Sequence, residues 1–123
     1  MISEEEQIQE FEEVFAKLKE MLHLTDEIMI RLYTTFFATV TVTLQKLKDA
    51  IEAEDYDVMK ADAHSIKGSS SSLCYSTISE LAETIEKKAH EKEQYEYRKV
   101  FSELAAQLDK AQRAYTLWTR KRG

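Results

Sequence analysis

His64, Lys67 and Gly68 fall within one short run, Ala63-His64-Ser65-Ile66-Lys67-Gly68-Ser69-Ser70-Ser71-Ser72-Leu73. An exposed imidazole is largely unprotonated near neutral pH, and its ring nitrogen can attack an electrophilic phosphorus and hold a phosphoryl group. That group would carry up to about two negative charges, which a lysine at i+3 can neutralise without competing for the attacking nitrogen. The glycine is the anomaly. In a helix interior it costs roughly 1 kcal/mol against alanine, and the chain has only two glycines and no proline. A bare position beside a nucleophile allows a second protein to approach the ring closely.

The elements that must position these residues are helices. Ile8, Phe11, Phe15, Leu18 and Leu22 recur three and four apart, and Ser3 with Glu6 forms a capping box before them. Thr25 caps a second helix, with Asp26 and Glu27 in its first turn and Tyr33, Phe37, Val40, Leu44, Leu47 and Ile51 on its stripe. Phe36 to Leu44 also alternates as a strand would. The helical spacing runs past both ends, and no second strand is available to pair with it. The third helix starts near Asp55 and uses Met59, Ala63, Ile66, Ser70 and Leu73. The fourth uses Ile78, Leu81, Ala82, Ile85 and Ala89, with Thr77 and Glu80 as a further capping box. The fifth runs through Tyr97, Phe101, Leu104, Leu108, Ala111, Tyr115 and Trp118. Each helix has one apolar stripe and the loops are short, so neighbours pack antiparallel.

At about 100° per residue, the core stripe of the third helix defines zero. His64 then falls near 140°, Ser71 near 120°, Lys60 near 100°, Lys67 near 80° and Gly68 near 180° by the same estimate. The histidine faces solvent with two lysines on its flank, and the glycine lies on the outside of the helix. Ser70 faces inward, where a small residue permits close packing.

Bulk properties exclude several classes. The chain has 123 residues, 43% hydrophobic and 33% charged, enough for one compact domain. A net charge of −6 argues against general nucleic-acid binding. The longest apolar stretch is too short to span a bilayer. The acidic start, Glu4 to Glu6, is unlike a secretory signal. Residues 1–20 carry seven acids, and residues 110–123 carry five basic residues and no acid, so the first and last helices are expected to attract. The lone Cys74 excludes an internal disulfide and fits a reducing compartment; it reads as a partly buried structural thiol. Glu20 and His23 give one Glu-x-x-His, where a di-iron bundle needs two. Glu86 and His90, four apart, read as a surface pair.

The run from Ala63 to Ser70 resembles the signature of histidine-containing phosphotransfer (HPt) domains, which relay phosphoryl groups in multistep two-component signalling. Asp55-Tyr56 before the histidine helix, Leu73 after the serines, and Leu81 with Ile85-Glu86 in the next helix are similar to the family's pattern. The resemblance covers nearly the whole chain. Cys74 departs from it, standing where the family usually has glycine, and bears on the turn after the third helix. The resemblance implies that His64 is the phosphoacceptor and that Lys67 steadies the phosphoryl group. It implies that Gly68 gives a partner access. On the same arc, Ser71 keeps the surface small and polar and Lys60 either helps bind the phosphoryl group or an acidic partner or is simply solvated; both are expected on the docking face. It further implies receiver domains of response regulators or hybrid sensor kinases as partners, no ATP site, and no cofactor of its own. Any Mg²⁺ would belong to the partner's aspartate pocket.

The expectation is an all-α protein, an antiparallel four-helix bundle with an additional N-terminal helix. It forms a single domain over residues 1–123, with the first helix at about 4–22 and the bundle at about 25–120. It is expected to be a cytoplasmic, monomeric phosphorelay intermediate without kinase activity, contacting neither nucleic acid nor membrane. Two rivals are an adaptor bundle that only binds and a metal-binding bundle.

Overall fold

The computed structural model describes residues 2–123 and contains five helices: α1 (Glu4–Leu22), α2 (Asp26–Glu52), α3 (Tyr56–Ser72), α4 (Ser76–His90) and α5 (Tyr97–Arg122). Helices α2 to α5 form the antiparallel bundle, and α1 packs on it as the additional helix. Three of the starts are capped by side chains, which satisfy amide groups that the helix itself cannot. Ser3 Oγ accepts from Glu6 N–H, Thr25 Oγ1 from Ile28 N–H and Asp55 Oδ1 from Val58 N–H.

The apolar stripes close into one core. Tyr33, Leu18, Met29, Leu47, Met59, Ile66, Ile85 and Leu104 are fully buried. α1 contributes aromatic rings. Phe11 meets Tyr33 at 5.0 Å and Trp118 at 5.1 Å, and Phe15 meets Trp118 at 4.7 Å between centroids. Such pairs add about 0.5–1.5 kcal/mol each beyond the area they bury. The expected attraction of charged termini takes another form. The basic end of α5 is held by the first turn of α2, with Arg122 to Asp26 at 3.1 Å, and Lys19 of α1 joins the same carboxylate at 2.6 Å. No ion pair links Glu4, Glu5 or Glu6 to α5 among the described residues.

The pair α3–α4 is the most extensive helix contact. Ala63 and Ser70 are buried on α3, and Ala82 and Ala89 on α4. Small residues on a seam let two backbones approach, so side chains at its rim reach across. Ser79 Oγ donates across it to the Lys67 carbonyl at 3.3 Å. Ser70 is buried as the spacing requires, and its hydroxyl has no hydrogen-bond partner among the described residues.

Two local expectations fail at the turn between these helices. The capping box at Thr77 and Glu80 does not form. α4 starts at Ser76 after Tyr75, with no side-chain cap. The Tyr75 ring stacks on Phe36 at 5.6 Å, which fixes where the chain enters α4, and its carbonyl accepts from Ser79 N–H at 3.0 Å. Cys74 is exposed rather than partly buried. Its φ of 63° is left-handed, its N–H donates to Ser71 O, and Tyr75 N–H donates to Ser70 O. This hydrogen-bonded reversal is the usual place for glycine, and it swings the Cys74 side chain off the helix. A side chain in that region costs about 1 kcal/mol. Cys74→Gly is therefore expected to raise unfolding stability by about that amount in a urea titration; an unchanged or lower midpoint would contradict this account of the turn.

Candidate functional site

The site forms on the outer rim of the α3–α4 seam. His64 projects from the middle of α3 with its side chain 67% exposed. Its Nδ1 lies 2.6 Å from Glu86 Oε2 on α4. The other oxygen of the same carboxylate, Oε1, lies 2.6 Å from Lys67 Nζ. One carboxylate thus holds the nucleophile and its neighbouring cation. The antiparallel register produces this. The Ser79–Lys67 contact fixes α4 against α3, and from further along α4 the Glu86 side chain reaches both His64 and Lys67.

The carboxylate decides the chemistry of the ring. Glu86 is partly buried, and burial alone would raise its pKa. The hydrogen bonds from Lys67 and His64 outweigh that and hold it below its ordinary value of 4.5. It is an anion at neutral pH and can only accept hydrogen bonds. The proton of a neutral His64 ring must then sit on Nδ1, which donates to Glu86. The lone pair is left on Nε2, to which no hydrogen bond is made among the described residues. The arrangement is that of an oriented nucleophile whose developing positive charge meets a fixed anion.

Gly68 is exposed one turn on, and a Cβ built there meets nothing within 4 Å. Nothing inside the protein requires a glycine at this position. Lys60 is half-buried one turn before His64 and makes no ion pair among the described residues, and Ser71 is exposed beyond Gly68. The five residues singled out in the sequence therefore share one outer face of α3. Sequence reasoning missed Glu86, which was assigned to a surface pair with His90. The structure turns Glu86 inward to α3, and His90 is not its partner. The signal was present: Glu86 follows buried Ile85 and lies one turn beyond Ala82, so it sits on the rim of a close seam.

These features define a class, a helical bundle presenting one exposed histidine held by a carboxylate and flanked by a lysine and a bare helix position. The family model of the Hpt domain matches residues 31–114, and the chain belongs to that family. Hpt domains relay phosphoryl groups through a histidine, work with receiver domains, and are phosphotransfer modules rather than kinases. The fold is similar to that of histidine-containing phosphotransfer protein B (HptB) from Pseudomonas aeruginosa PAO1. The TM-score is 0.76 at 21% identity, over 88% of this chain and 92% of that one. Comparison with curated proteins gives no match. Among the described residues no helix is long and apolar enough to cross a membrane, and no three metal-ligating side chains come together.

The carboxylate bridge predicts a pH signature. A depressed folded pKa means that the Glu86 contribution to stability is present above the ordinary value and is lost as pH falls through the lower, folded value. Glu86→Ala should remove that acid-side loss and, near pH 7, shift His64 away from the Nδ1–H tautomer. Both are readable, by denaturation at several pH values and by ¹⁵N imidazole shifts. An unchanged tautomer ratio in Glu86→Ala would remove Glu86 from its role.

Proposed function

We propose that His64 Nε2 accepts the phosphoryl group from a receiver-domain phosphoaspartate and passes it to another receiver domain. The observation that carries this reading is the 2.6 Å contact between Nδ1 and Glu86, which leaves Nε2 as the nucleophile. In the step, an Nε2–P bond forms and the bond from phosphorus to the aspartate oxygen breaks. The aspartate leaves as a carboxylate. No proton has to move, since Nδ1–H stays on the ring and the positive charge that develops there faces Glu86. Lys67, already at the site on Glu86 Oε1, supplies a cation for the phosphoryl oxygens. Return of the group to a second aspartate is the same step reversed.

Gly68, Lys60 and Ser71 belong to the face the partner covers in this proposal. Gly68 supplies clearance, because its bare position answers no need inside the bundle. The chain itself lacks kinase activity and a cofactor, and Mg²⁺ sits in the aspartate pocket of the partner. It acts as a monomer in the cytoplasm. An adaptor that only binds receivers is disfavoured, because it would have no use for a histidine, a lysine and a carboxylate in this geometry.

The test is transfer of ³²P from receiver domains charged with acetyl phosphate. His64→Gln should take no label while its helical circular dichroism stays unchanged; a labelled mutant would overturn the assignment. Gly68 separates clearance from folding. Gly68→Ala should gain about 0.5–1 kcal/mol of stability, since the helix gains propensity and the Cβ meets nothing. Gly68→Gln should fold and lose transfer by at least about tenfold, the equivalent of about 1.4 kcal/mol. A Gly68→Gln protein with wild-type transfer would show that clearance is not its role.

A further inference from the structure

A second cavity, of 470 Å³, opens where the α2–α3 turn meets the loop between α4 and α5. That volume lies in the range of roughly 300–1,000 Å³ that small ligands occupy. Three tyrosines line it: Tyr97 is buried, Tyr56 half-buried and Tyr95 exposed. Tyr56 meets Tyr97 at 6.2 Å between centroids with the planes at 57°, and Tyr95 meets Tyr97 at 5.8 Å with the planes at 68°. Planes so steeply tilted make corners rather than a stack.

The two loops hold these rings in place. Glu54 N–H donates to Ile51 O and Asp55 N–H to Ala50 O at the end of α2. Lys92 N–H donates to Ala89 O and Glu93 N–H to Lys88 O at the end of α4. Each is a hydrogen-bonded helix end with one left-handed residue, Glu54 and Lys92, both at φ 54°. Tyr97 Oη then donates to Glu93 O at 2.6 Å, and Tyr97 N–H to Tyr95 O at 2.8 Å, which sets the two rings side by side. A preformed wall spares a ligand the cost of ordering it.

The rim carries both signs of charge. Glu52, Glu54 and Glu96 line the cavity, and so do Arg98 and Lys99. All five are exposed, and none makes an ion pair among the described residues. One of the rings already attracts a cation from outside the cavity lining. Lys88 Nζ lies 5.1 Å from the Tyr95 centroid, its charge balanced by Glu93 at 3.2 Å. Aromatic faces favour a weakly hydrated cation above all, and a quaternary ammonium is such a cation.

We propose that this cavity binds a small zwitterion of the betaine class, a quaternary ammonium joined to a carboxylate. The methylated ammonium lies against Tyr56, Tyr95 and Tyr97 with the rim carboxylates balancing its charge, and the ligand carboxylate faces Arg98 and Lys99. A plain anion would meet three carboxylates and a plain cation two positive groups; a zwitterion answers both sets. Tyr56 precedes His64 by eight residues, about 12 Å along α3. The site is therefore separate from the histidine and does not rest on the phosphotransfer reading.

The experiment titrates full-length protein with glycine betaine, choline and glycine, following the tyrosine ring protons by NMR. Glycine betaine should give saturable shifts at Tyr56, Tyr95 and Tyr97 with a Kd of about 1 mM. Overhauser contacts from its N-methyl protons to the Tyr56 and Tyr95 rings should place it without any variant. Glycine, whose ammonium holds its water, should bind at least about tenfold more weakly, and choline, which lacks the carboxylate, at least about threefold. Tyr95→Leu, an exposed loop change that keeps apolar bulk, should weaken glycine betaine by at least about fivefold with helical circular dichroism unchanged. The double change Arg98→Ala and Lys99→Ala should weaken glycine betaine by at least about threefold and leave choline no weaker. His64→Gln should bind as the wild type does. No saturable shift at these tyrosines up to about 50 mM glycine betaine would overturn the site. Wild-type affinity in Tyr95→Leu would overturn the aromatic wall, and choline or glycine binding as well as glycine betaine would overturn the ligand class.

Discussion

The Glu86 carboxylate is the constraint on which the site depends. Its two oxygens hold two cationic or proton-donating groups of α3, each at 2.6 Å, from a neighbouring helix. Without it His64 would be one exposed side chain turning freely on a helix, able to exchange its proton between two nitrogens. With it the ring is oriented, the tautomer is chosen and Lys67 waits beside the nucleophile. The carboxylate pays for its partial burial through those same two bonds, which is why it remains ionised.

A carboxylate can reach both groups only because α3 and α4 lie close. Ala63, Ser70, Ala82 and Ala89 make that approach possible, and all four are buried. The rest of the molecule fixes the pair. α2 and α5 supply the large core residues, and the added helix α1 seals the aromatic cluster around Tyr33, Tyr115 and Trp118. Tyr33 has its hydroxyl buried without a partner among the described residues, and burial pushes its pKa up to about 12. Polar atoms left in this way mark an aromatic cluster packed for shape.

Much of this was legible in the sequence. The apolar spacing located all five helices, because each is amphipathic and long enough for its period to register. The wheel of α3 placed His64, Lys67 and Gly68 outward and Ser70 inward, since a helix face follows from residue number alone. Glu86 was not legible as a site residue. Its role depends on the offset between two helices, which no single helix period contains. Cys74 was misread for a related reason: composition says that cysteines are buried, whereas a left-handed turn decides its exposure. The Thr77–Glu80 pattern failed because a partly buried Tyr75 ring stacked on Phe36 started α4 earlier than its best capping residues would.

The measurement that bears most directly on the account is the position of phosphorus in the phosphorylated protein. ³¹P–¹⁵N correlation on ¹⁵N-histidine-labelled protein, charged by a phosphorylated receiver domain, reads it without a mutation. The account predicts coupling to Nε2 of His64, with Nδ1 still protonated and hydrogen-bonded. Phosphorus on Nδ1, or on His23 or His90, would contradict it.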